Sequence, residues 1–159
     1  MNPHSRNPDR AADRADSARG LAATLVNAVL LERRSIGAAL EAMRHATPDP
    51  RRRAAAQDLA YGVLRQYGRL NHILAALRAR PVQPSTLVGP LLVALFELGR
   101  ARTPAYAVVD AAVREAGRLA PRAKGLVNAV LRNYLRQRDT LDASAAADPV
   151  GRWNFPLWW

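Results

Sequence analysis

In the stretch Gly125-Leu-Val-Asn-Ala-Val-Leu-Arg-Asn-Tyr-Leu-Arg136, the apolar residues Leu126, Val127, Val130, Leu131 and Leu135 fall on one stripe of an α-helix. On another face of the same cylinder, Lys124, Asn128, Arg132 and Arg136 recur every fourth residue, a row of polar and positive groups. A segment patterned in this way buries one side in a core and holds the other toward water or an anionic partner. No alternating apolar/polar run of useful length occurs anywhere in the chain, so sheet architectures are excluded.

The same periodicity predicts the rest of the domain. From about Ala18 a helix carries Leu21, Leu25, Val26, Val29 and Leu30 inward, and a short second one follows Ser35 with Ile36, Leu40 and Met43. Thr47-Pro-Asp-Pro50 interrupts the pattern, with Asp49 placed to cap a helix whose first position is Pro50. That helix is predicted to run to about Tyr67 on a stripe of Leu59, Val63 and Leu64, and to end at Gly68. Leu70, Ile73, Leu74 and Leu77 mark a fourth helix, and Pro81 to Pro84 a linker. A fifth, from about Ser85, has a wide apolar face of Leu87, Leu91, Leu92, Leu95, Phe96 and Leu98, with Pro90 near its first turns. Ala105 to Leu119 is a sixth with Val108, Val109, Ala112 and Val113 inward, and the Gly125 helix, read to about Leu141, is the seventh. The expected fold is all-α, a bundle of about seven helices with short connections.

Composition divides the chain into three parts. Residues 1–17 lack periodicity and read as a disordered leader, residues 18–142 as the helical domain, and residues 143–159 as an aromatic exit tail. All three tryptophans, Trp153, Trp158 and Trp159, lie in that tail with Phe155. So aromatic a segment must dock, either on its own helices or in a following domain outside this chain.

Lys and Arg number 24 against 13 Asp and Glu, a formal charge of +11, which favours a polyanionic partner through counterion release. Lys124 is the sole lysine, and a GC-rich genome would by itself enrich arginine. Whatever the origin, guanidinium groups pair with phosphates in bidentate geometry and stack on bases. Candidate contacts are Arg33 and Arg34, the run Arg51-Arg52-Arg53, the pair Arg65 and Arg69 with Tyr61 one turn earlier, and the row Lys124, Asn128, Arg132 and Arg136. Each cluster has an alternative as a solvated helix face, and Asn128 has one as the anchor of a neighbouring loop.

With no cysteine, the chain has no disulfides, thiolate metal sites or cysteine nucleophiles. His4, His45 and His72 lack ligand spacing, so no metal is expected, and no apolar run reaches the roughly 20 residues of a membrane span. The N-terminus lacks an apolar signal core, and the expected location is cytoplasmic. There is no phosphate-binding glycine loop after a strand and no recognisable catalytic triad. By itself the chain reads as non-catalytic and without a cofactor.

Asp58-Leu-Ala-Tyr-Gly-Val-Leu-Arg65, Leu70-Asn-His-Ile-Leu74, the segment Leu92–Gly99 and Gly125-Leu-Val-Asn-Ala-Val-Leu-Arg132 follow one another in a specific order and spacing. As a set they resemble the NusB-like N-terminal RNA-binding domain of the bacterial 16S rRNA cytosine-C5 methyltransferases, the Sun/Fmu family. The resemblance covers roughly residues 18–159, and Arg152-Trp-Asn-Phe-Pro-Leu-Trp158 is similar to the junction that precedes the family's catalytic part. It implies a helical domain that helps to position ribosomal RNA. It also implies an S-adenosylmethionine-binding, Rossmann-like catalytic domain with two cysteines, which is not in this chain and which would dock at the Trp153–Trp159 tail. Stand-alone NusB antitermination factors, the alternative class, use the basic start of their first helix against RNA, which adds Arg14 and Arg19 to the candidates. Two departures stand out. Pro104-Ala-Tyr106-Ala occupies the place of a Pro-x-His-Ala segment, and Asp110-Ala111 that of an Asn-Glu pair.

Overall fold

A computed structural model of the chain describes the backbone of residues 8–155 and the side chains of residues 18–155. Among the described residues there are eight α-helices and no strand. They are α1 (Pro8–Leu30), α2 (Ile36–Ala46), α3 (Pro50–Arg65), α4 (Tyr67–Leu77), α5 (Val88–Arg100), α6 (Ala105–Leu119), α7 (Lys124–Ala147) and α8 (Pro149–Trp153). Short 3-10 turns at Ser85–Leu87 and Pro121–Ala123 lead into α5 and α7.

The helix starts follow from local chemistry. The Ser35 hydroxyl accepts the Ala38 N–H, and the Asp49 carboxylate accepts those of Arg51 and Arg52 ahead of Pro50. Asp148 does the same for Gly151 ahead of Pro149. Each carboxylate or hydroxyl satisfies a donor that has no partner within its own helix.

Helix α5 is the axis of the domain. Every residue from Gly89 to Phe96 is buried, and Leu98 with them, so the helix is apolar nearly all round. It contacts α1, α3, α4, α6 and α7, which is how one helix buries all of its faces. Fully burying side chains such as Leu91, Leu92 and Leu95 stabilises the fold by about 1.5–3 kcal/mol each. The start of α5 is tied to α1 by Asn27, whose Oδ1 accepts the Gly89 N–H at 2.9 Å while its Nδ2 donates to the Thr86 carbonyl at 2.7 Å. That tie needs close approach. A Cβ at Gly89 would collide with the Ala23 carbonyl, and one at Gly62 in α3 would collide with the Phe96 ring.

Several boundaries differ from the sequence expectation. Helix α1 begins at Pro8, so residues 8–17 of the expected leader are helical. They are rich in Ala, Arg and Asp and carry no apolar stripe, so periodicity could not reveal them. Gly68 does not end α3. The break is at Gln66, and Gly68 lies inside α4 where the Val150 carbonyl of α8 approaches too closely for a side chain. Helix α7 continues past the expected Leu141 to Ala147, bending at Gln137, whose φ of −113° and ψ of 16° are not helical. The tail then contributes α8, an eighth helix packed on α4 and α7, so the boundary expected at residue 143 falls inside a helix. Leu126, placed on the buried stripe, is 42% exposed. Tyr134, not among the residues expected inward although it stands seven residues after Val127 on the same stripe, is fully buried with Val127, Val130 and Leu131.

Two glycines give a controlled test of the packing. Gly89→Ala is expected to cost about 1–3 kcal/mol, since backbone must shift to admit a methyl group. Gly37→Ala in α2, where nothing lies within 4 Å of the added atom, is expected to stabilise by about 0.5–1 kcal/mol. Thermal denaturation reads both, with shifts of about 2–4 °C per kcal/mol and opposite signs.

Candidate nucleic-acid interface

The structure divides the sequence-predicted basic residues into two groups. Three of them face inward. Arg19 holds Glu97 of α5 through its Nε at 2.6 Å and its second guanidinium nitrogen at 3.1 Å, with both side chains largely buried. Arg53 donates to the Thr47 and Pro48 carbonyls at 2.7 and 3.0 Å, fastening the α2–α3 turn. Arg69 pairs with Asp142 of α7 at 2.7 Å.

The Arg69 pair belongs to a network that closes the C-terminal half of the domain. Asp142 also accepts from the Tyr134 hydroxyl at 3.4 Å and lies 3.7 Å from Arg138 Nε, while Arg138 donates to the Gly99 carbonyl at 3.0 Å. The bend at Gln137 carries Arg138 and Asp142 to these positions. Burial, reinforced by the Asp142 carboxylate, pushes the Tyr134 phenol above its ordinary range. The network joins α4, α5 and α7 and is structural.

The remaining candidates point outward. Arg33 and Arg51 are exposed, and Arg34 has only a long contact to Glu32 at 3.8 Å and a bond to the Ala38 carbonyl. Arg52 is half-buried, with its Nε lacking a hydrogen-bond partner. Arg65 is exposed, its guanidinium 5.8 Å from the centre of the Tyr61 ring. The Arg14 side chain lies outside the described residues.

The row on α7 is brought together with part of α6. Asn128 and Arg132 line a groove of about 470 Å³ between the two helices, with Tyr106, Val109, Asp110, Val113 and Leu135. Arg132 Nε donates to Asn128 Oδ1 at 3.0 Å, and Arg136 donates to Asn133. The Lys124 stem lies against Gly117 of α6, at the same seam. Packing does not account for this surface. Gly125 has nothing within 4 Å of where a Cβ would stand, and Lys124, Leu126, Arg132 and Arg136 are exposed. Tyr106, at the start of α6, is 79% exposed. Sequence reasoning noted Tyr106 only as a departure from a motif, because its placement beside Asn128 depends on how α6 and α7 pair.

At the other end of the domain, the Arg152 guanidinium stands 4.7 Å from the centre of the Trp153 ring, and Trp153 and Phe155 are exposed. Asn154 adopts a left-handed conformation (φ 58°), and its Oδ1 accepts the Arg69 N–H at 2.9 Å. His72 of α4 meets Ser144 at 3.0 Å. The α8 end is therefore fixed to α4. Trp158 and Trp159 lie outside the described residues.

No group of three or more His, Cys, Asp or Glu able to hold a metal occurs among the described residues, and no described helix is long and apolar enough to cross a membrane.

An all-α domain with a central buried helix and a basic outer seam defines the class, and comparison with known proteins gives the family. The chain belongs to the NusB family, whose model matches residues 16–136. It is 44% identical over 112 residues to the ribosomal RNA small subunit methyltransferase B of Vibrio cholerae, covering 69% of this chain and 26% of that protein. The protein of the same name from Pseudomonas putida is 38% identical over 140 residues (86% and 32%), and that from Escherichia coli O7:K1 is 32% identical over 143 residues (88% and 33%). The chain thus spans about a quarter to a third of the length of these relatives.

Two results would verify the inward assignments. Arg19→Met should cost about 2–3 kcal/mol in urea denaturation, because it strands the largely buried Glu97 carboxylate. For Tyr134, the folded state keeps its phenolic proton after the unfolded chain has lost it. Stability is therefore complete below about pH 10 and falls as pH rises beyond it. Denaturation midpoints at about pH 9 and pH 11 should show that fall, and Tyr134→Phe should flatten it.

Proposed function

We propose that this is the RNA-binding domain of a ribosomal RNA methyltransferase, engaging small-subunit rRNA in the cytoplasm and presenting it to a catalytic segment outside this chain. The observation that carries the reading is the row along α7 of exposed Lys124, Arg132 and Arg136 with half-buried Asn128, on a chain with formal charge +11. The names of the relatives support the substrate.

The chemistry is that of phosphate tracking. Successive cations four residues apart follow a strand of phosphates, and an amide among them offers hydrogen bonds to a base or ribose. Arg33, Arg34, Arg51, Arg52 and Arg65 extend the positive surface. Arg19, Arg53 and Arg69 shape it from inside. S-adenosylmethionine and the reacting cytosine would be held by the catalytic segment. The exposed Trp153 and Phe155 beside the fixed end of α8 are the surface on which that segment would dock. A lone domain of this kind binds RNA without modifying it.

Affinity for a small-subunit rRNA fragment should fall linearly on a log–log plot against salt. Reversing two charges in Arg132→Glu/Arg136→Glu should weaken it at least about ten-fold at low salt and reduce the slope by about two. Absence of binding at low salt, or an unchanged affinity in the double variant, would sink the reading. Filter binding or fluorescence anisotropy measures both.

A further inference from the structure

We propose that the α6–α7 groove seats one unstacked guanine of a single-stranded RNA. This rests on the RNA-binding reading above and adds to it the base that is read. Three observations converge.

The first is Tyr106. A tyrosine 79% exposed at the mouth of a groove exposes apolar ring surface that the fold itself leaves uncovered. Sequence-specific recognition of RNA works largely on bases splayed out of a strand and stacked on such rings. The second is size and lining. At about 470 Å³ the groove lies within the range of roughly 300–1,000 Å³ typical of small-molecule sites, and Val109, Val113 and Leu135 give it an apolar wall.

The third is the placement of donors and acceptors. Asn128 Oδ1 is occupied by Arg132 Nε, so the amide presents its NH2 group, and the outer guanidinium nitrogens of Arg132 are left to donate. Asp110 lines the same groove, and the one hydrogen bond to Arg114, at 2.5 Å, leaves its carboxylate with further acceptor capacity. Two donors and a carboxylate complement guanine, whose O6 and N7 accept and whose N1–H and N2–H2 donate. Adenine offers a donor where O6 would stand, and pyrimidines supply a smaller stacking face. Because Arg132 both orients Asn128 and reaches outward, one residue couples the base to the phosphate row.

The experiment uses uridine heptamers with guanine, adenine, cytosine or uracil at the centre, at fixed low salt. The expected result is tightest binding to the guanine oligomer. Tyr106→Ala should weaken that complex about ten-fold and Asn128→Ala should remove the preference, while Tyr106→Phe keeps the affinity. Both positions carry exposed or half-buried side chains, and thermal melting checks that the variants stay folded. If the oligomers bind with the usual salt dependence but neither the central base nor Tyr106 matters, the groove proposal falls and the RNA reading stands. If no oligomer binds and the Arg132/Arg136 double variant also leaves rRNA affinity unchanged, both fall. If Tyr106→Ala instead weakens association with the catalytic segment added in trans and leaves RNA binding alone, the groove is a domain seat and the proposal is overturned.

Discussion

The burial of α5 on all sides is the constraint from which the rest follows. A helix whose residues from Gly89 to Phe96 are all inaccessible cannot exist alone, and five other helices contact it. Close approach has to be possible on each side, so small residues line the partners. Ala22, Ala23 and Val26 on α1, Ala56 and Ala60 on α3, and Ala112 and Ala116 on α6 are all buried. Gly62 makes room for the Phe96 ring, which otherwise would have no site on the α3 side. Asn27 then fixes the register of α1 on α5 by satisfying the Gly89 N–H, which a helix start leaves unpaired, and the Thr86 carbonyl, whose partner four residues on would be Pro90 with no N–H to give.

Because the core is made almost wholly of aliphatic side chains and alanine, the arginines are divided by geometry. Those facing an acidic residue on a second helix become ties, as Arg19 does with Glu97 and Arg69 with Asp142. Others, such as Arg53 and Arg138, are held by backbone carbonyls, and Arg33, Arg51, Arg65, Arg132 and Arg136 face water. Largely buried ion pairs of this kind contribute little net stability but make the loss of either member costly. They fix which helix meets which. The positive field of the domain is therefore carried by the outward set, and the α6–α7 seam holds several of its members in a single row.

Most of the fold was legible in the sequence, and the reasons for the rest are physical. Apolar spacing identifies seven helices because six bury one stripe and α5 is apolar nearly all round. It misses the start of α1, where alanines and charged residues form a helix with no stripe, and α8, a single turn held by the Asp148 cap and by contact with Gly68. Leu126 was assigned inward because spacing treats every leucine on the stripe alike. Tyr134 was passed over because its hydroxyl reads as polar, although Asp142 waits for it eight residues later, beyond the Gln137 bend. The site was legible only as candidates. Whether Arg19 faces water or Glu97 depends on a pairing 78 residues apart, which no local pattern encodes.

The exposed remainder of the Gly125–Arg136 helix can be weighed against this background. Val127, Val130, Leu131 and Tyr134 account for the packing of that helix. Gly125 has open space around it, and Leu126, 42% exposed, is only partly covered. The absence of a side chain at Gly125 leaves the backbone at the start of α7 uncovered, beside Lys124 and one turn from Asn128. Lys124 and Arg132 are exposed on this helix, and Arg132 lies in the Tyr106 groove. The sequence features that the core does not require are thus those that an anionic strand lying along α7 would touch.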